Sequence, residues 1–136
     1  MNANGPIFVR MEGEALVLGL RVEDRHCNSN GMCHGGMLLT LADLILTIGV
    51  NVQGKLSRFL PTVSVTCDFL GAAPKGAWVE ARVSVLRTTR NLAFAQGLLA
   101  LGDGTAVARL SGILKIGGEA NPAYGPERYL GLSENL

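Results

Sequence analysis

Residues His26–Asp43 read HCNSNGMCHGGMLLTLAD, a polar loop that leads into a strongly apolar segment. The loop ends at His34-Gly35-Gly36, and one carboxylate, Asp43, stands inside the apolar segment. A lone acid among apolar residues is costly unless it is paired or solvated, and the start of a helix carries unpaired N–H groups. The stretch therefore indicates a functional site as well as a structural element.

The apolar segment predicts one helix, from Gly35 to about Asn51, which Gln53-Gly54-Lys55 closes. Its apolar residues lie on nearly all sides, and a helix of this kind must be enclosed by other structure. The longest apolar run, Met37–Val50, is about 14 residues, whereas a membrane span needs about 20. We therefore expect a buried helix and no membrane span.

Alternating apolar and polar residues predict strands on both sides of this helix. Two precede the helix and four follow it through short connections, which favours an antiparallel sheet. The predicted strands are Ile7–Met11, Ala15–Glu23, Thr62–Leu70, Ala77–Arg87, Leu92–Leu101 and Thr105–Ile116. The expected architecture is an α+β fold, in which an antiparallel sheet of about five to six strands curls around one long central helix.

Composition narrows the classes of function. The 136 residues predict a single domain, with a core at about 7–117 and a tail at 118–136. A net charge of +1 gives no electrostatic argument for nucleic acid or a membrane surface. Three cysteines without scaffold spacing, and no basic-plus-apolar N-terminal signal, predict a cytoplasmic setting. A mean hydropathy of +0.29 suggests apolar surface buried between subunits.

The predicted helix start at Gly35-Gly36 has the chemistry of an oxyanion site. The first four N–H groups of a helix have no partner within it, and the helix dipole makes that end electropositive. Glycine also lets another molecule approach the backbone closely. The pair can therefore stabilise a developing oxyanion, or it can serve only a tight turn from loop to helix.

Asp43 also has two interpretations, as a nucleophile or general base beside a cleft, or as a hydrogen-bonded structural acid. Gly35 and Asp43 are eight residues apart, which is roughly 12 Å along a helix. An oxyanion donor and an attacking group that serve one carbonyl lie within about 7–8 Å of each other. If both act in one reaction, they come from different subunits, which predicts an active site at a homodimer interface.

His26, Cys27, Cys33 and His34 could also be interpreted as metal ligands. A zinc site normally has a second ligand pair at a suitable spacing, and none follows, so we predict no metal and no other cofactor. The glycines lack the Lys-Ser/Thr of a phosphate loop. Because no nearby charge would stabilise a thiolate on Cys33, we expect this residue to serve in packing.

The spacing of these residues resembles that of hotdog-fold thioesterases of the phenylacetate-degradation (PaaI-like) type. That family has a loop asparagine, a glycine three residues later, then His-Gly-Gly, and an acid seven residues after the second glycine. The resemblance runs from about Ala15 to Ile116 and includes the later Val63-Ser64-Val65 strand. The matching residues are Asn28, Gly31, His34-Gly35-Gly36 and Asp43.

The resemblance implies hydrolysis of an acyl-CoA thioester to free CoA and a carboxylic acid. The Gly35 N–H would polarise the carbonyl, and Asp43 of the partner subunit would attack it or activate water. Asn28 would position the water or the carbonyl, Ser64 would hold the water near the acid, and His34 would order the loop. The implied assembly is a homodimer, with a dimer of dimers as a further step.

Basic residues near a strand end, in Arg87–Asn91, match the place where similar proteins bind CoA phosphates. Arginine suits phosphate because its guanidinium can donate two parallel hydrogen bonds, although a solvated turn explains the same residues. The residues predicted to bind CoA are Gly36, Arg90, Asn91 and Arg58, with Lys55 as a weaker candidate.

Two alternatives stay open. One is a hotdog-fold enoyl-CoA hydratase or dehydratase that uses His34 and Asp43 to move a proton and water. The other is a non-catalytic acyl-CoA binding protein. Asn28 and the double glycine favour hydrolysis. Aromatic, short-chain and medium-chain acyl groups all suit an apolar pocket.

Overall fold

Six strands form where the sequence alternates, and all of them join one antiparallel sheet in the computed structural model, which describes residues 3–125. The order across the sheet is β1-β2-β4-β5-β6-β3. The strands are β1 (Ile7–Glu12), β2 (Ala15–Arg21), β3 (Thr62–Phe69), β4 (Trp78–Thr88), β5 (Leu92–Leu101) and β6 (Ala106–Lys115). The predicted α+β architecture is confirmed.

The central helix runs continuously over Gly35–Gly54. It consists of α1 (Gly35–Leu44), a π-helical turn (Ile45–Gly49) and α2 (Val50–Gly54). It ends at Lys55, whose φ of 53° is left-handed. The helix is therefore longer than predicted, because Gln53 and Gly54 continue it instead of closing it.

The central helix fills the space inside the curled sheet. Leu41, Ile45 and Leu46 are fully buried and pack in one core with apolar residues of the strands. By length and composition the helix could cross a membrane, a test that buried core helices also pass. Its packing against the sheet explains why it is apolar on nearly all sides.

The predicted strand ends agree with the structure to within one residue, except at the end of β2. Strand β2 stops at Arg21 because Glu23 begins a short 3₁₀ turn, Asp24–His26, in which the Glu23 carbonyl oxygen accepts the His26 N–H at 2.9 Å. The predicted tail is ordered in its first part, since Pro122–Tyr124 forms another 3₁₀ turn. The rest of the predicted tail, 126–136, lies outside the described residues.

Strand β3 is an edge strand that runs beside the central helix. It pairs only with β6, and no described residue pairs with its other edge. Thr62 at one end of β3 contacts Asp43, and the ring of Phe69 at the other end lies against Gly35. The strand thus connects the start of the helix with its acidic residue.

Candidate active site at the sheet edge

The start of the central helix presents main-chain N–H groups. His34 caps the helix with its carbonyl oxygen, which accepts hydrogen bonds from the N–H groups of Met37 (3.0 Å) and Leu38 (3.1 Å). Its imidazole makes no capping hydrogen bond. The N–H groups of Gly35 and Gly36 have no acceptor among residues 3–125, so they can bind a ligand oxygen.

The two glycines meet different surroundings. A Cβ on Gly35 would lie 3.3 Å from the Phe69 ring, whereas a Cβ on Gly36 would meet no atom within 4 Å. Close packing against β3 therefore explains glycine at position 35. Nothing in the described chain requires glycine at position 36, which leaves that surface open to another molecule.

The loop before the helix is held by Asn28. Its side-chain oxygen accepts hydrogen bonds from the main-chain N–H groups of Asn30 (2.9 Å) and Met32 (3.2 Å). The Asn28 N–H donates to the Met32 carbonyl oxygen at 2.8 Å. The Asn28 oxygen thus shapes the loop, while its Nδ2 has no partner among the described residues. Asn28 can therefore act on a ligand as a donor.

His26 supports the same loop from inside. It is 2% exposed, and its Nδ1 accepts the Glu23 N–H at 2.9 Å. Its Nε2 lies 2.7 Å from the Asn4 carbonyl oxygen, so Nε2 carries the proton of a neutral ring. Because both ring nitrogens are occupied, His26 is unsuited to bind a metal. Within residues 3–125 no cluster of three His, Cys, Asp or Glu has metal-binding geometry.

Cys33 lies buried at the base of the loop. Burial, and to a lesser extent the neighbouring Cys27, raises the pKa of its thiol to about 11. The thiol is therefore protonated at neutral pH, and Cys33 lacks the activated thiolate of a nucleophile. Cys33 therefore serves in packing, as the sequence predicted.

Asp43 opens into a separate cleft of about 390 Å³. The side chain is half-buried, and its Oδ1 accepts a 2.7 Å hydrogen bond from the Thr62 hydroxyl. Thr47 also lines the cleft, but its hydroxyl donates to main-chain carbonyl oxygens of the helix. The carboxylate is thus oriented by one hydroxyl, and its Oδ2 has no donor among the described residues.

Thr62, which sequence reasoning missed, takes the place expected for Ser64. The register of β3 is irregular between these two residues, so the bulge puts them on opposite faces of the sheet. Ser64 pairs with Ile113, and its side chain lies on the same face of β3 as Asp68. Asp68 forms an ion pair with Arg109 on the outer face of the sheet. The structure therefore does not bring Ser64 to Asp43. A bulge has no reliable sequence signal here, because Thr62 and Ser64 share one face in a regular strand.

The residues predicted to bind CoA lie in two places. Arg58 lines the Asp43 cleft. Its main chain is fixed by Asn51, which accepts the Arg58 N–H at 2.9 Å and donates to the Arg58 carbonyl oxygen at 2.6 Å. Arg90 and Asn91 are exposed in the β4–β5 turn and do not line that cleft. This turn shares a sheet end with Thr62, since Thr62, Leu114 and Ala93 are aligned across three strands.

One chain does not bring the two halves of the site together. His34 and Gly36 line a cleft of about 260 Å³ that excludes Asp43, and Asp43 lines a cleft that excludes them. Gly35 contacts one end of β3 and Asp43 contacts the other. We call these regions the helix-start half-site (Asn28, His34, Gly35 and Gly36) and the Asp43 half-site (Asp43, Thr62 and Arg58).

Comparison with known proteins gives the family. The model of the thioesterase superfamily matches residues 30–108, which include the helix start, Asp43 and most of the sheet. The chain belongs to the thioesterase superfamily. Its six-stranded antiparallel sheet around one central helix is the hotdog fold, as the sequence motif predicted.

Individual relatives agree with this assignment. A Pseudomonas aeruginosa protein named "Putative esterase" is 35% identical over 113 residues, which cover 82% of this chain and 84% of the relative. The mouse acyl-coenzyme A thioesterase 13 is 32% identical over 84 residues, 60% of this chain and 58% of the relative. A mutant structure of the phenylacetic acid degradation protein PaaI from Thermus thermophilus has a TM-score of 0.73 and 27% identity, and covers 85% of this chain and 96% of that one.

Proposed function

We propose that this chain hydrolyses acyl-CoA thioesters and releases free CoA and a carboxylic acid. One observation carries the proposal: the helix start, whose first two N–H groups have no acceptor within residues 3–125, and an oriented carboxylate lie against opposite ends of the same edge strand. The superfamily assignment and the name of the mouse relative support thioester hydrolysis as the reaction.

A second copy of the chain would complete the site. Antiparallel pairing of two β3 strands about their centres would set Thr62 opposite Phe69 of the partner subunit. Since Thr62 contacts Asp43 and Phe69 contacts Gly35, the Asp43 half-site of one subunit would then face the helix-start half-site of the other. Two-fold symmetry would create two such sites.

The surface around β3 supports this homodimer. The exposed fractions of Val63, Phe69 and Leu70 are 59%, 53% and 52%. Leu39, on the first turns of the central helix, is 40% exposed. Large apolar side chains grouped along an unpaired strand edge are typical of a surface that another protein covers. A dimer of dimers remains the assembly that we propose beyond this pair.

The reaction follows from the charges that develop. The thioester carbonyl oxygen would accept hydrogen bonds from the N–H groups of Gly35 and Gly36, which stabilise the negative charge of the transition state. Asp43 of the partner subunit would attack the carbonyl carbon or take a proton from the attacking water. If water attacks, the proton that Asp43 takes from it passes to the CoA thiolate as the C–S bond breaks, and the carboxylic acid is released. If Asp43 attacks, breakage of the C–S bond leaves an acyl–Asp43 anhydride, which water hydrolyses to the carboxylic acid, and the proton released goes to the CoA thiolate. Thr62 orients the carboxylate, and Asn28 Nδ2 donates to the water or the carbonyl.

Basic side chains at this end of the sheet would bind the phosphates of CoA. Arg58 lines the Asp43 cleft, and the exposed Arg90 stands on the turn at the same sheet end. Both guanidinium groups can donate paired hydrogen bonds to phosphate oxygens. We assign them to CoA binding and not to the chemical step.

The test is thiol release from a panel of acyl-CoA thioesters by the Asp43→Asn variant. We expect kcat to fall by roughly 10³-fold or more, since removal of one member of a catalytic group costs this much. Asp103→Asn is the matched control, because Asp103 lies in the β5–β6 hairpin and bonds the Thr105 N–H. Unchanged thiol release in Asp43→Asn contradicts the proposal. Hydration of crotonyl-CoA without thiol release would instead establish the hydratase alternative.

A further inference from the structure

The segment that follows β6 forms part of the Asp43 cleft. Beyond Lys115 the chain turns at Gly118, whose φ of +62° lies in the left-handed region that favours glycine. The Asn121 N–H then donates to the Ser57 carbonyl oxygen at 2.7 Å, which attaches the segment to the loop after the central helix. These residues lie beyond the 30–108 region that the superfamily model matches.

Two aromatic rings stand on this side of the cleft. The ring centroids of Phe59 and Tyr124 are 6.0 Å apart, and the rings are tilted by 44°, a favourable geometry for an aromatic pair. Both residues line the cleft together with Asp43. The exposed fraction of Phe59 is 63%, so its ring presents apolar surface that residues 3–125 do not cover.

Both rings stand on anchored main chain. Tyr124 ends the Pro122–Tyr124 turn, which Asn121 caps by accepting the Ala123 N–H at 2.9 Å. Phe59 follows Arg58, whose main chain is fixed by Asn51, a side chain that is only 4% exposed. The aromatic pair is therefore held in place from the helix on one side and from the C-terminal segment on the other.

We propose that Phe59 and Tyr124 form an acyl wall, which sets the length of the acyl group accepted beside Asp43. The inference rests on the proposed thioesterase function. Both rings line the same cleft as Asp43, which measures about 390 Å³ in one chain. An acyl chain that extends from a thioester at Asp43 meets the two rings, so the preferred substrates carry short acyl groups.

Substitutions at Tyr124 can either enlarge or reduce the space that the acyl wall leaves for the acyl group. Tyr124→Ala removes one ring and should raise kcat/KM for decanoyl-CoA relative to butyryl-CoA by about tenfold or more, since even one methylene group in such a pocket changes specificity by about tenfold. Tyr124→Trp should lower the same ratio. Tyr124→Phe should leave it unchanged, because the wall uses the ring. Phe59→Ala should shift it in the same direction as Tyr124→Ala.

Phe8→Leu is the matched control. Phe8 also packs against one aromatic ring, that of Trp78 at 5.5 Å, but it lies in β1 at the sheet edge opposite β3. We expect the ratio of kcat/KM for decanoyl-CoA to that for butyryl-CoA in Phe8→Leu to equal the ratio in the unaltered protein. Melting temperatures of all variants establish that they are folded. If Tyr124→Ala is unstable, Tyr124→Trp still tests the proposal.

The outcomes separate the two proposals. If the unaltered protein hydrolyses no acyl-CoA, the thioesterase function itself fails. If it hydrolyses butyryl-CoA and neither Tyr124→Ala nor Tyr124→Trp changes the ratio, the thioesterase function stands and the acyl wall is wrong. An equal change in KM for every acyl-CoA also overturns the wall, because it would place Tyr124 against the CoA part that all substrates share.

Discussion

The helix-start half-site offers main-chain N–H groups beside the Asn28 amide, whereas the Asp43 half-site consists of side-chain groups alone. Gly35 and Gly36 offer N–H groups at the start of the helix, directly after the loop that Asn28 shapes. Asp43 depends on Thr62, nineteen residues further along the chain, and its cleft also uses Tyr124. The groups of the first half-site therefore come from one contiguous stretch of sequence, whereas those of the second come together only after the sheet and the C-terminal segment have packed.

After the loss of Asp43, the largest effect is expected from removing one main-chain donor. Gly35→Pro deletes the N–H but keeps the helix, because proline is well accepted at the first helical position. We expect kcat for thiol release to fall by roughly 10²–10³-fold, the usual cost of losing one oxyanion donor. Gly35→Ala is the control, since it keeps the N–H and adds a methyl group beside the Phe69 ring. Equal losses in both variants would show that the steric change matters and the donor does not.

Mixing two inactive chains tests whether the half-sites meet across subunits. In a heterodimer of Asp43→Ala and Gly35→Pro chains, one site carries both defects and the other carries none. Random exchange at equal amounts yields one half heterodimers, so about one quarter of the unaltered activity should return. Heterodimers verified by native mass spectrometry but without activity would place both half-sites in one subunit.

Substitution of Thr62 should lower kcat less than substitution of Gly35 or Asp43. Thr62→Val keeps the shape but removes the hydroxyl that donates to Asp43, so the carboxylate loses its orientation. We expect kcat to fall by about tenfold, in the range of one lost hydrogen bond to a charged group, with KM little changed. Thr62→Ser should restore the rate. Ser64→Ala, on the outer face, provides the comparison, and a larger loss there would reverse the roles assigned to the two hydroxyls.

The smallest effect on activity is expected at Cys33. Cys33→Ala should keep near-normal thiol release, because the thiol is not used in the reaction. Burial raises its pKa from 9.0 to about 11, so above pH 9.0 the unfolded chain loses this proton first and the free energy of unfolding falls with rising pH. Urea denaturation of the variant between pH 9 and 11 should show a weaker fall. An identical pH dependence in both proteins would contradict the buried thiol.

The contrast between the half-sites also explains what the sequence could predict. The helix and strands follow local periodicity, and Asn28, Gly35 and Asp43 stand in one contiguous motif. Whether Thr62 or Ser64 contacts Asp43 depends on a bulge in β3. The alternation of apolar and polar residues does not indicate where such a bulge lies. Tyr124 reaches the cleft through a turn far along the chain. Such long-range contacts leave no periodic signal, so the acyl wall becomes visible only in the fold.

The edge of β3 that no described residue pairs with has a consequence for the newly made chain. Asp68 is the only charged residue in Thr62–Phe69, and neither lysine nor proline interrupts the strand. Natural edge strands usually carry such residues to prevent unwanted pairing. In the proposed homodimer the partner's β3 would cover this edge, so an unassembled chain would be prone to aggregate, and a high rate of synthesis at elevated temperature should favour insoluble protein.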